Sequence, residues 1–419
     1  MLQNYFYFML KMFGYILYKL KLKSIFLVVG TSSLCFYLIQ IILIPYLKGR
    51  QNDYPIMIWW TPLMPEEDRI INCHHHSCLL TKNRHYINNT NLQAFLFYGS
   101  QFNIWDLPVP KKKIWAIFHE ESPRNVALFL YNRTYDIFDL TATFSRYSDF
   151  PLTLQYLENL SILTSNQYLM KVEDKNKLLS EIAPVLYIQS DCDTPVDRDA
   201  YVSEIMKYVQ VDSYGACLNN KKFPPEIAEI YSLDLYNNKL LRFIAKYKFV
   251  IAFENGICDD YITEKLWRPL FTGTVPIYLG SPSVQDWLPN KNSVILAKNF
   301  QSPELLAKHI NEINLDDSLY EKFREHKRGK VENVLLERTL AQGPFGLVTD
   351  QEHPISAFEC FVCEQIHKGV KKRRTHSVYD CVRPSKTSSW HYYWQSGDCQ
   401  SRALVNHIRN NQKLDVDSC

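Results

Sequence analysis

Residues 253–289, FENGICDDYITEKLWRPLFTGTVPIYLGSPSVQDWLP, decide the fold class because they join a strand, a helix and a second strand. The aromatic and β-branched residues of 246–253 and 275–280 predict two buried strands. Residues 261–271 between them predict a helix. This order of elements indicates a parallel βαβ unit and therefore an α/β fold.

Both ends of the predicted helix carry capping signals. Asp259 and Asp260 are candidate N-caps, and Gly273 followed by Pro276 predicts the end of the helix. Ligands of parallel sheets bind at the carboxyl ends of the strands, and the first turn of a helix favours anions. The run therefore predicts a site for a charged ligand.

Length and composition predict two globular domains. The chain has 419 residues, of which 46% are hydrophobic and 14% aromatic, and this exceeds what one core usually holds. We predict a first α/β domain over 56–180, a second over 181–350, and a Cys-rich C-terminal segment over 351–419 with little periodicity. Within the second domain, residues 212–215 indicate a turn.

The overall charge gives no reason to expect nucleic acid as a partner. The net charge of +3 is small for 419 residues. The basic run at 371–374 is short, and a solvated loop explains it better than a nucleic-acid or localisation signal. The sequence gives no indication of the oligomeric state.

Residues 25–44 predict a transmembrane helix. These 20 residues contain no charged side chain and are long enough to cross about 30 Å of hydrocarbon. Lysines before the span favour a cytosolic tail over 1–24, and residues 45–55 then form a short stem. A cleaved signal peptide is the alternative, but the long lead and the lack of a clear cleavage site count against it.

The cysteines and sequons agree with a lumenal or extracellular placement of the chain that follows the span. Ten cysteines follow the predicted span, and an even set in an oxidising compartment predicts disulfides without fixing their pairing. Three sequons, at Asn88, Asn132 and Asn159, point the same way. The disulfide candidates are Cys73, Cys78, Cys192, Cys217, Cys258, Cys360, Cys363, Cys381, Cys399 and Cys419.

Several charged residues are candidates for the chemistry. Lys265, beside Glu264, opposes the helix dipole, and a bound phosphate would explain it as well as an ordinary solvated lysine does. Arg198, at another predicted helix start, could grip a diphosphate or pair with a neighbouring aspartate. Glu120 and Glu121 follow a predicted strand, where one carboxylate could act as a general base and the other be structural.

Two short strings have the composition of metal ligands. The D-x-D string of Asp191 and Asp193 is of the kind that holds Mn²⁺ and a nucleotide diphosphate in some transferases, although such strings are common. The strings 73–78, CHHHSC, and 360–363, CFVC, lack the second pair of a zinc ribbon. Disulfides explain these cysteines better in a lumenal chain.

Four motifs resemble the α1,3-fucosyltransferases of glycosyltransferase family 10, and they follow one another along the chain in the order that the family has. They are HEESPRN at 119–125, TATFSRYSDFP at 141–151, VDSYGACL at 211–218, and the opening run with its FEN, DYITEK and G-x-V-P strings. The strings QSDCDTPVDRDAYV at 189–202 and FECFVC at 358–363 resemble the branch of fucosyltransferases 10 and 11.

The resemblance implies a GT-B fold, in which two Rossmann-like domains face a cleft. It also implies a GDP-fucose donor, inversion at the anomeric carbon, no essential metal or other cofactor, and a type II membrane anchor. The motif matches assign Glu121 as the base, and Arg198 and Lys265 to the diphosphate. They also place Tyr261, Glu264, Glu254 and Asn255 among the donor-binding residues. SDCDTPVD departs from the usual family segment before Arg198, so this loop is expected to differ.

The expected function is fucosyl transfer to a hydroxyl acceptor in the Golgi or endoplasmic reticulum membrane, with the catalytic part lumenal. The branch resemblance favours Ser or Thr of a small disulfide-rich protein module as the acceptor. One alternative is α1,3-fucosylation of N-acetylglucosamine on N-glycans. The other is a binding or chaperone-like protein without turnover, against which the complete set of site residues argues.

Overall fold

Two parallel sheets form the framework of the chain. The computed structural model describes residues 54–61, 68–157, 159–342, 354–370, 376–379, 381–386, 388–416 and 419. The N-terminal sheet contains β1 (Ile56–Thr61), β2 (Arg69–Cys73), β3 (His76–Thr81), β4 (Leu92–Tyr98), β5 (Ile114–His119) and β6 (Leu140–Thr143), in the spatial order β2-β3-β1-β4-β5-β6. Its pairings are parallel except for the antiparallel β2–β3 pair.

The C-terminal sheet repeats this plan. It contains β7 (Val185–Gln189), β8 (Val211–Gly215), β9 (Phe249–Phe253), β10 (Val275–Leu279) and β11 (Ile295–Leu296), in the order β11-β10-β9-β7-β8, all parallel. If β2 is set aside, the parallel strands of each sheet follow the doubly wound order 2-1-3-4-5. The predicted α/β fold with two Rossmann-like sheets is thus confirmed.

Helices cover the sheets and the C-terminal region. They are α1 (Asn132–Tyr135), α2 (Leu160–Thr164), α3 (Val172–Leu178), α4 (Arg198–Ile205), α5 (Pro225–Ala228), α6 (Asn238–Ala245), α7 (Glu264–Thr272), α8 (Pro303–Leu315), α9 (Asp317–Lys322), α10 (Val334–Gln342), α11 (Pro354–Lys368) and α12 (Trp390–Asn410). Short 3₁₀ turns, among them Pro123–Asn125 and Ala127–Leu130, follow β5. Strands β5 and β9 are almost wholly buried, as expected of parallel strands covered on both faces.

Helix α7 begins later than the sequence predicts. Its N-cap is Thr263, whose hydroxyl accepts a hydrogen bond from the Lys265 amide at 3.4 Å. The predicted cap Asp260 instead lies at φ 61° and uses its carboxylate for tertiary contacts. The predicted end is correct, because Gly273 takes the left-handed conformation at φ 65° and closes the helix.

Two other local predictions are wrong. Residues 212–215 belong to strand β8 and are not a turn. The polar side chains that suggested a turn have hydrogen-bond partners inside the fold. Asp212, for example, accepts hydrogen bonds from the Ala183 amide and the Tyr247 hydroxyl, both at 3.1 Å. The C-terminal segment, predicted to have little periodicity, contains the 15 residues of α11 and the 21 residues of α12. Polar residues that pack against the N-terminal half obscured the helical period there.

All ten predicted cysteines form disulfides. The pairs are Cys73–Cys360, Cys78–Cys363, Cys192–Cys217, Cys258–Cys381 and Cys399–Cys419. The first two fasten α11 to the β2–β3 hairpin, across 287 and 285 residues of chain. The C-terminal region is therefore fixed to the N-terminal half.

The predictions for the N-terminus remain outside what is described. Residues 55–419 form one compact unit, and the other unit, Met1–Tyr54, is described only at Tyr54. The predicted tail, the span 25–44 and nearly all of the stem thus lie outside the described residues. Among the helices within the described ranges, none is both long and apolar enough to cross a bilayer.

The three sequons differ in their environment. Asn88 and Asn159 are exposed. Asn132 instead donates from Nδ2 to the Tyr379 carbonyl at 2.9 Å and accepts at Oδ1 from the Val378 amide at 2.7 Å. The structure thus leaves the amides of Asn88 and Asn159 on the surface and engages that of Asn132 in a tertiary contact.

Candidate active site

The loops that follow β5, β7 and β9 meet where the carboxyl ends of the two sheets approach each other. Arg124, after β5, donates a hydrogen bond to the Asp191 carboxylate after β7. A Cβ atom on Gly256, after β9, would lie 2.7 Å from Ser122 Oγ, so this glycine allows the β5 and β9 loops to touch. The ESP and FEN motifs, more than a hundred residues apart in sequence, therefore share one site.

Arg146 and Asp260 fasten the two halves beside this site. Arg146, in the loop after β6, donates from Nη2 to Asp260 Oδ1 at 2.6 Å and from Nε to Asp260 Oδ2 at 2.9 Å. Trp287 Nε1 donates to the same carboxylate at 3.0 Å. Burial opposes the charge of Asp260, yet the hydrogen bonds and charge of Arg146 outweigh it and lower the pKa of this carboxyl.

Glu254 lies at the end of β9 and orders the start of α7. Its carboxylate is fully buried and accepts hydrogen bonds from the Thr263 amide and the Thr263 hydroxyl, both at 2.8 Å. Lys265 Nζ is 3.6 Å from Glu254 Oε2 and donates to the Thr263 hydroxyl at 3.1 Å. Glu254 is thus placed to position Lys265 and the first turn of α7.

Lys265 is only partly buried. Its side chain is 18% exposed, and Nζ lies 3.1 Å from Glu264 Oε1. Burial of Glu264 opposes ionisation, but Lys265 and Arg268 outweigh it and lower the Glu264 pKa to about 2. The start of α7 therefore combines a cation with a carboxylate that is ionised at neutral pH.

Arg198 spans the switch point of the C-terminal sheet. Its Nη1 donates to the Phe253 carbonyl, at the end of β9, at 3.0 Å, and its Nη2 donates to the Asp191 carbonyl, after β7, at 2.6 Å. The side chain is 0% exposed. The structure thus shows Arg198 as a support that joins the two walls of the crevice, and the predicted contact with a diphosphate stays a prediction.

Glu120 and Glu121 have different environments. Glu121 is half-buried and accepts a hydrogen bond from Asn125 Nδ2 at 3.4 Å. Glu120 accepts one from the Tyr98 hydroxyl at 2.9 Å, and burial raises its pKa to about 7. The neighbouring His119 is fully buried, which lowers its pKa to about 3, and its ring packs on Phe129 at 5.1 Å. Of the two acids, Glu121 is the less constrained.

Asn255 and Tyr261 complete the predicted donor set. Asn255 Oδ1 is buried and has no hydrogen-bond partner within the described part of the chain, so it is an acceptor that a ligand could satisfy. Tyr261 is 2% exposed, and its ring meets Phe144 edge-on at 4.9 Å. The structure thus brings Glu254, Asn255, Tyr261, Glu264 and Lys265 together around the β9 loop and the start of α7.

Tyr156 is a site residue that sequence reasoning missed. It is half-buried, and its ring stacks on Phe144 at 6.2 Å. Burial first, and then the carboxylates of both halves, raise the pKa of its phenol well above the usual value. The carboxylates concerned are those of Glu264, Glu121, Glu120 and Glu254. Tyr156 therefore stays protonated between the two halves, and a stacked tyrosine between short loops gives no local signal in the sequence.

Removal of the Tyr156 hydroxyl is expected to weaken turnover without unfolding the chain. Tyr156→Phe keeps the stack on Phe144 but loses a hydrogen-bond donor near charged groups, which is worth about 1.5–3 kcal/mol or roughly 10- to 100-fold in rate. Steady-state turnover and the melting temperature would be measured together, with the exposed Tyr208→Phe as the matched control. Unchanged turnover by Tyr156→Phe would remove this residue from the site.

The D-x-D string does not offer two unpaired carboxylates. Asp191 pairs with Arg124 and lies 3.7 Å from Arg198 Nη2, while Asp193 Oδ1 accepts from Trp390 Nε1 at 2.7 Å. Two clusters of the described residues have metal-ligand composition, one with Cys78 and Cys363 and the other with Cys192 and Cys217. Their cysteines are joined in disulfides, so they provide no thiolate.

Comparison with known proteins gives matches along most of the chain. The family described as fucosyltransferase, N-terminal, matches residues 51–155, and glycosyltransferase family 10 (fucosyltransferase), C-terminal, matches residues 173–381. GDP-fucose protein O-fucosyltransferase 3 of Homo sapiens is 47% identical over 328 residues, which cover 77% of this chain and 68% of that protein. The protein of the same name from Danio rerio is 40% identical over 390 residues, covering 87% of this chain and 84% of that one.

Solved structures of α1,3-fucosyltransferases are more distant. One with GDP aligns with a TM-score of 0.44 and 16% identity, covering 71% of this chain and 83% of that one. One with GDP-fucose has a TM-score of 0.41 and 18% identity, covering 65% and 82%.

Proposed function

The chain belongs to glycosyltransferase family 10, the fucosyltransferases, and from this membership we propose that it transfers L-fucose from GDP-fucose to a Ser or Thr hydroxyl of a protein acceptor. The names of its relatives, which specify protein O-fucosylation, support this choice of acceptor. The favoured acceptor is a small disulfide-rich module.

One observation carries the proposal: a carboxylate of one half, Glu121, and the start of α7 in the other half, at Glu264, both lie within electrostatic range of Tyr156. The Ser122–Gly256 approach brings the Glu121 loop against the β9 loop. This geometry supports the proposal of a GT-B arrangement, with the acceptor on the N-terminal half and the donor on the C-terminal half.

The proposed reaction is a single displacement at the anomeric carbon. Glu121 accepts the proton of the acceptor hydroxyl while the oxygen forms a bond to the anomeric carbon of fucose. The bond from that carbon to the β-phosphate oxygen breaks, and GDP leaves with the electron pair from the opposite face. The configuration is therefore inverted.

The charge that develops on GDP needs stabilisation without a metal. Lys265 and the positive end of the α7 dipole lie at one place and supply favourable charge there. Asn255 offers its buried carbonyl oxygen to a donor hydroxyl. Glu254 and Arg198 are fully buried and support the two walls of the site, and the predicted contact of Arg198 with the diphosphate is part of this proposal.

We place the reaction in the secretory pathway, as a single-pass type II protein of the Golgi or endoplasmic reticulum. The five disulfides support an oxidising compartment. The uncharged span at 25–44 supports the anchor.

We expect fucosyl transfer to continue when a chelator is present, and this result tests the proposed function. The purified chain, GDP-fucose and a panel of disulfide-rich secreted modules would be incubated with and without EDTA. Mass spectrometry is expected to find a deoxyhexose on Ser or Thr of a module, with equal yield in EDTA, because Asp191 and Asp193 are already paired.

The other outcomes separate the alternatives. A deoxyhexose on N-acetylglucosamine of an N-glycan would replace the protein acceptor with a glycan. Tight GDP binding without turnover on any acceptor would favour a silent binding protein. Strict dependence on Mn²⁺ would return the D-x-D string to the site.

A further inference from the structure

A groove beside the base loop has a composition suited to a polypeptide. It has a volume of about 380 Å³ and lies between the loop after β4, the loop after β5 and helix α12. We call it the aromatic groove; its lining residues are Phe102, Asn103, Ile104, Trp105, Asn125, Val126, Ala127, Leu128, Tyr393, Ser396 and Gln400. We propose that the aromatic groove binds the acceptor polypeptide next to its reacting hydroxyl, which deepens and rests on the proposed function.

Asn125 connects the aromatic groove to the chemistry. It lines the groove, and its Nδ2 donates to Glu121 Oε2 at 3.4 Å. An acceptor peptide bound in the groove would therefore contact Asn125, which is hydrogen-bonded to the proposed base. Since the donor site lies on the other half, the groove extends the acceptor side of the reaction.

The lining favours a peptide over a charged ligand. No lining residue carries a formal charge. Amides and hydroxyls from Asn103, Ser396 and Gln400 alternate with aromatic rings, and such groups match the donors and acceptors of a peptide backbone. Trp105 is 62% exposed on the rim, and exposed tryptophans of this kind are frequent anchors of protein interfaces.

Helix α12 presents one face to the groove. Tyr393, Ser396 and Gln400 follow the spacing i, i+3, i+7, which places them on one side of the helix. The adjacent Tyr392 is 71% exposed and adds apolar surface beside this face. The helix thus offers a continuous strip of hydroxyl, amide and aromatic groups.

The walls of the groove are held together by direct packing, because α12 contacts the segment that follows the loop with Glu121. A Cβ atom on Gly397 would lie 2.5 Å from the Ala127 carbonyl oxygen, so helix and backbone are in direct contact. The Ala127 amide donates to the Tyr393 hydroxyl at 3.0 Å, and the Tyr131 hydroxyl donates to the Trp394 carbonyl at 2.6 Å. A preformed surface lowers the entropy cost of binding.

Two variants test the groove. Trp105→Ala removes the exposed rim anchor, and Ser396→Arg inserts a charge and a long side chain into an uncharged groove. Leu233→Ala, at a residue that is 84% exposed and does not line the groove, is the matched control. The melting temperature of each variant would confirm that it is folded.

The kinetic constants should separate acceptor binding from donor chemistry. With the module that gains a deoxyhexose as acceptor, we expect KM to rise roughly tenfold or more in both groove variants, the effect typical of a lost interface anchor. The affinity for GDP and the slow hydrolysis of GDP-fucose by water should stay within about twofold of the parent. An unchanged acceptor KM in both variants would overturn the proposal.

Failure of the proposed function has a different signature. If the parent chain modifies no module, the same panel would be titrated against the GDP-loaded chain and against Trp105→Ala in calorimetry. Binding that is absent, or equal for both chains, overturns the groove as a polypeptide site. If the acceptor is an N-glycan and its KM rises in the groove variants, the occupant is a glycan and the polypeptide proposal is wrong.

Discussion

Glu121→Gln is expected to lower the rate of fucosyl transfer by roughly 10²- to 10⁴-fold, the usual contribution of a general base. Glutamine keeps the size of the side chain and can still contact Asn125, which lies 3.4 Å from the present carboxylate, but it cannot accept the proton of the hydroxyl. The affinity for GDP-fucose should be unchanged, because Lys265 and the start of α7 lie on the other half. Single-turnover transfer and donor titration by calorimetry measure the two quantities.

Glu120→Gln is the matched control for this result. Glu120 is occupied by the Tyr98 hydroxyl at 2.9 Å, and burial raises its pKa to about 7. It is therefore partly protonated near neutral pH, and we expect a much smaller loss of rate. If Glu120→Gln abolished transfer while Glu121→Gln did not, the two roles would have to be exchanged.

Asp260→Ala is expected to reduce the free energy of unfolding by about 3–5 kcal/mol, the cost of removing one partner from a buried ion pair. The Asp260 side chain is 2% exposed and accepts hydrogen bonds from Arg146, Ser283 and Trp287. Its loss leaves the Arg146 guanidinium with the half-exposed carboxylate of Asp286, at 2.8 Å, and the face of the Trp287 ring, at 4.3 Å. Because this contact joins the loop after β6 to the loop before α7, donor binding should weaken as well.

Chemical denaturation with the disulfides intact measures this effect. Asp286→Ala is the control, because Asp286 pairs with the same arginine but its side chain is 45% exposed. This substitution should lower the free energy of unfolding by less than about 1 kcal/mol. Asp260→Asn should fall between the two, because asparagine tolerates the positive φ of 61°. Equal stability of Asp260→Ala and Asp286→Ala would contradict a fastening role.

The same carboxyl gives a pH dependence with a defined sign. Its pKa is lowered in the folded chain, so its contribution is present above the pKa of an unfolded aspartate, about 3.9, and is lost as the pH falls through the folded value. The gap in stability between the parent and Asp260→Ala should therefore be constant near neutrality and should narrow in acid.

The order of strands and helices was available from the sequence. The buried strands 246–253 and 275–280, and the end of α7 at Gly273, were predicted from apolar runs and a glycine stop, and the structure confirms them. The start of α7 was not, because Asp260, a good cap by type, forms stronger contacts with Arg146 in the other half. At Asp260, the tertiary ion pair with Arg146 outweighed the local preference of aspartate for an N-cap.

The site shows the same division. The sequence singled out the loop that carries Glu121 and the segment around Glu264 and Lys265 as candidate sites, since both follow strands and carry unusual charges. It placed Arg198 against a diphosphate, which stays a prediction, and it did not show that the guanidinium donates to two backbone carbonyls. It gave no sign of Tyr156, whose position depends on Phe144 and on carboxylates from both halves.

The sequence by itself determined the α/β class, the family and the residue types at the candidate donor site, because strand and helix periods and short motifs are properties of neighbouring residues. Only the tertiary structure decided which charges pair, how the ten cysteines join, and that α12 forms a groove beside Glu121. Those outcomes depend on contacts between distant residues, such as Cys73 and Cys360, which are 287 positions apart in the sequence. Which side chains are buried, and which distant residues come into contact, depends on how the two sheets and the C-terminal helices pack. No local sequence pattern encodes that packing.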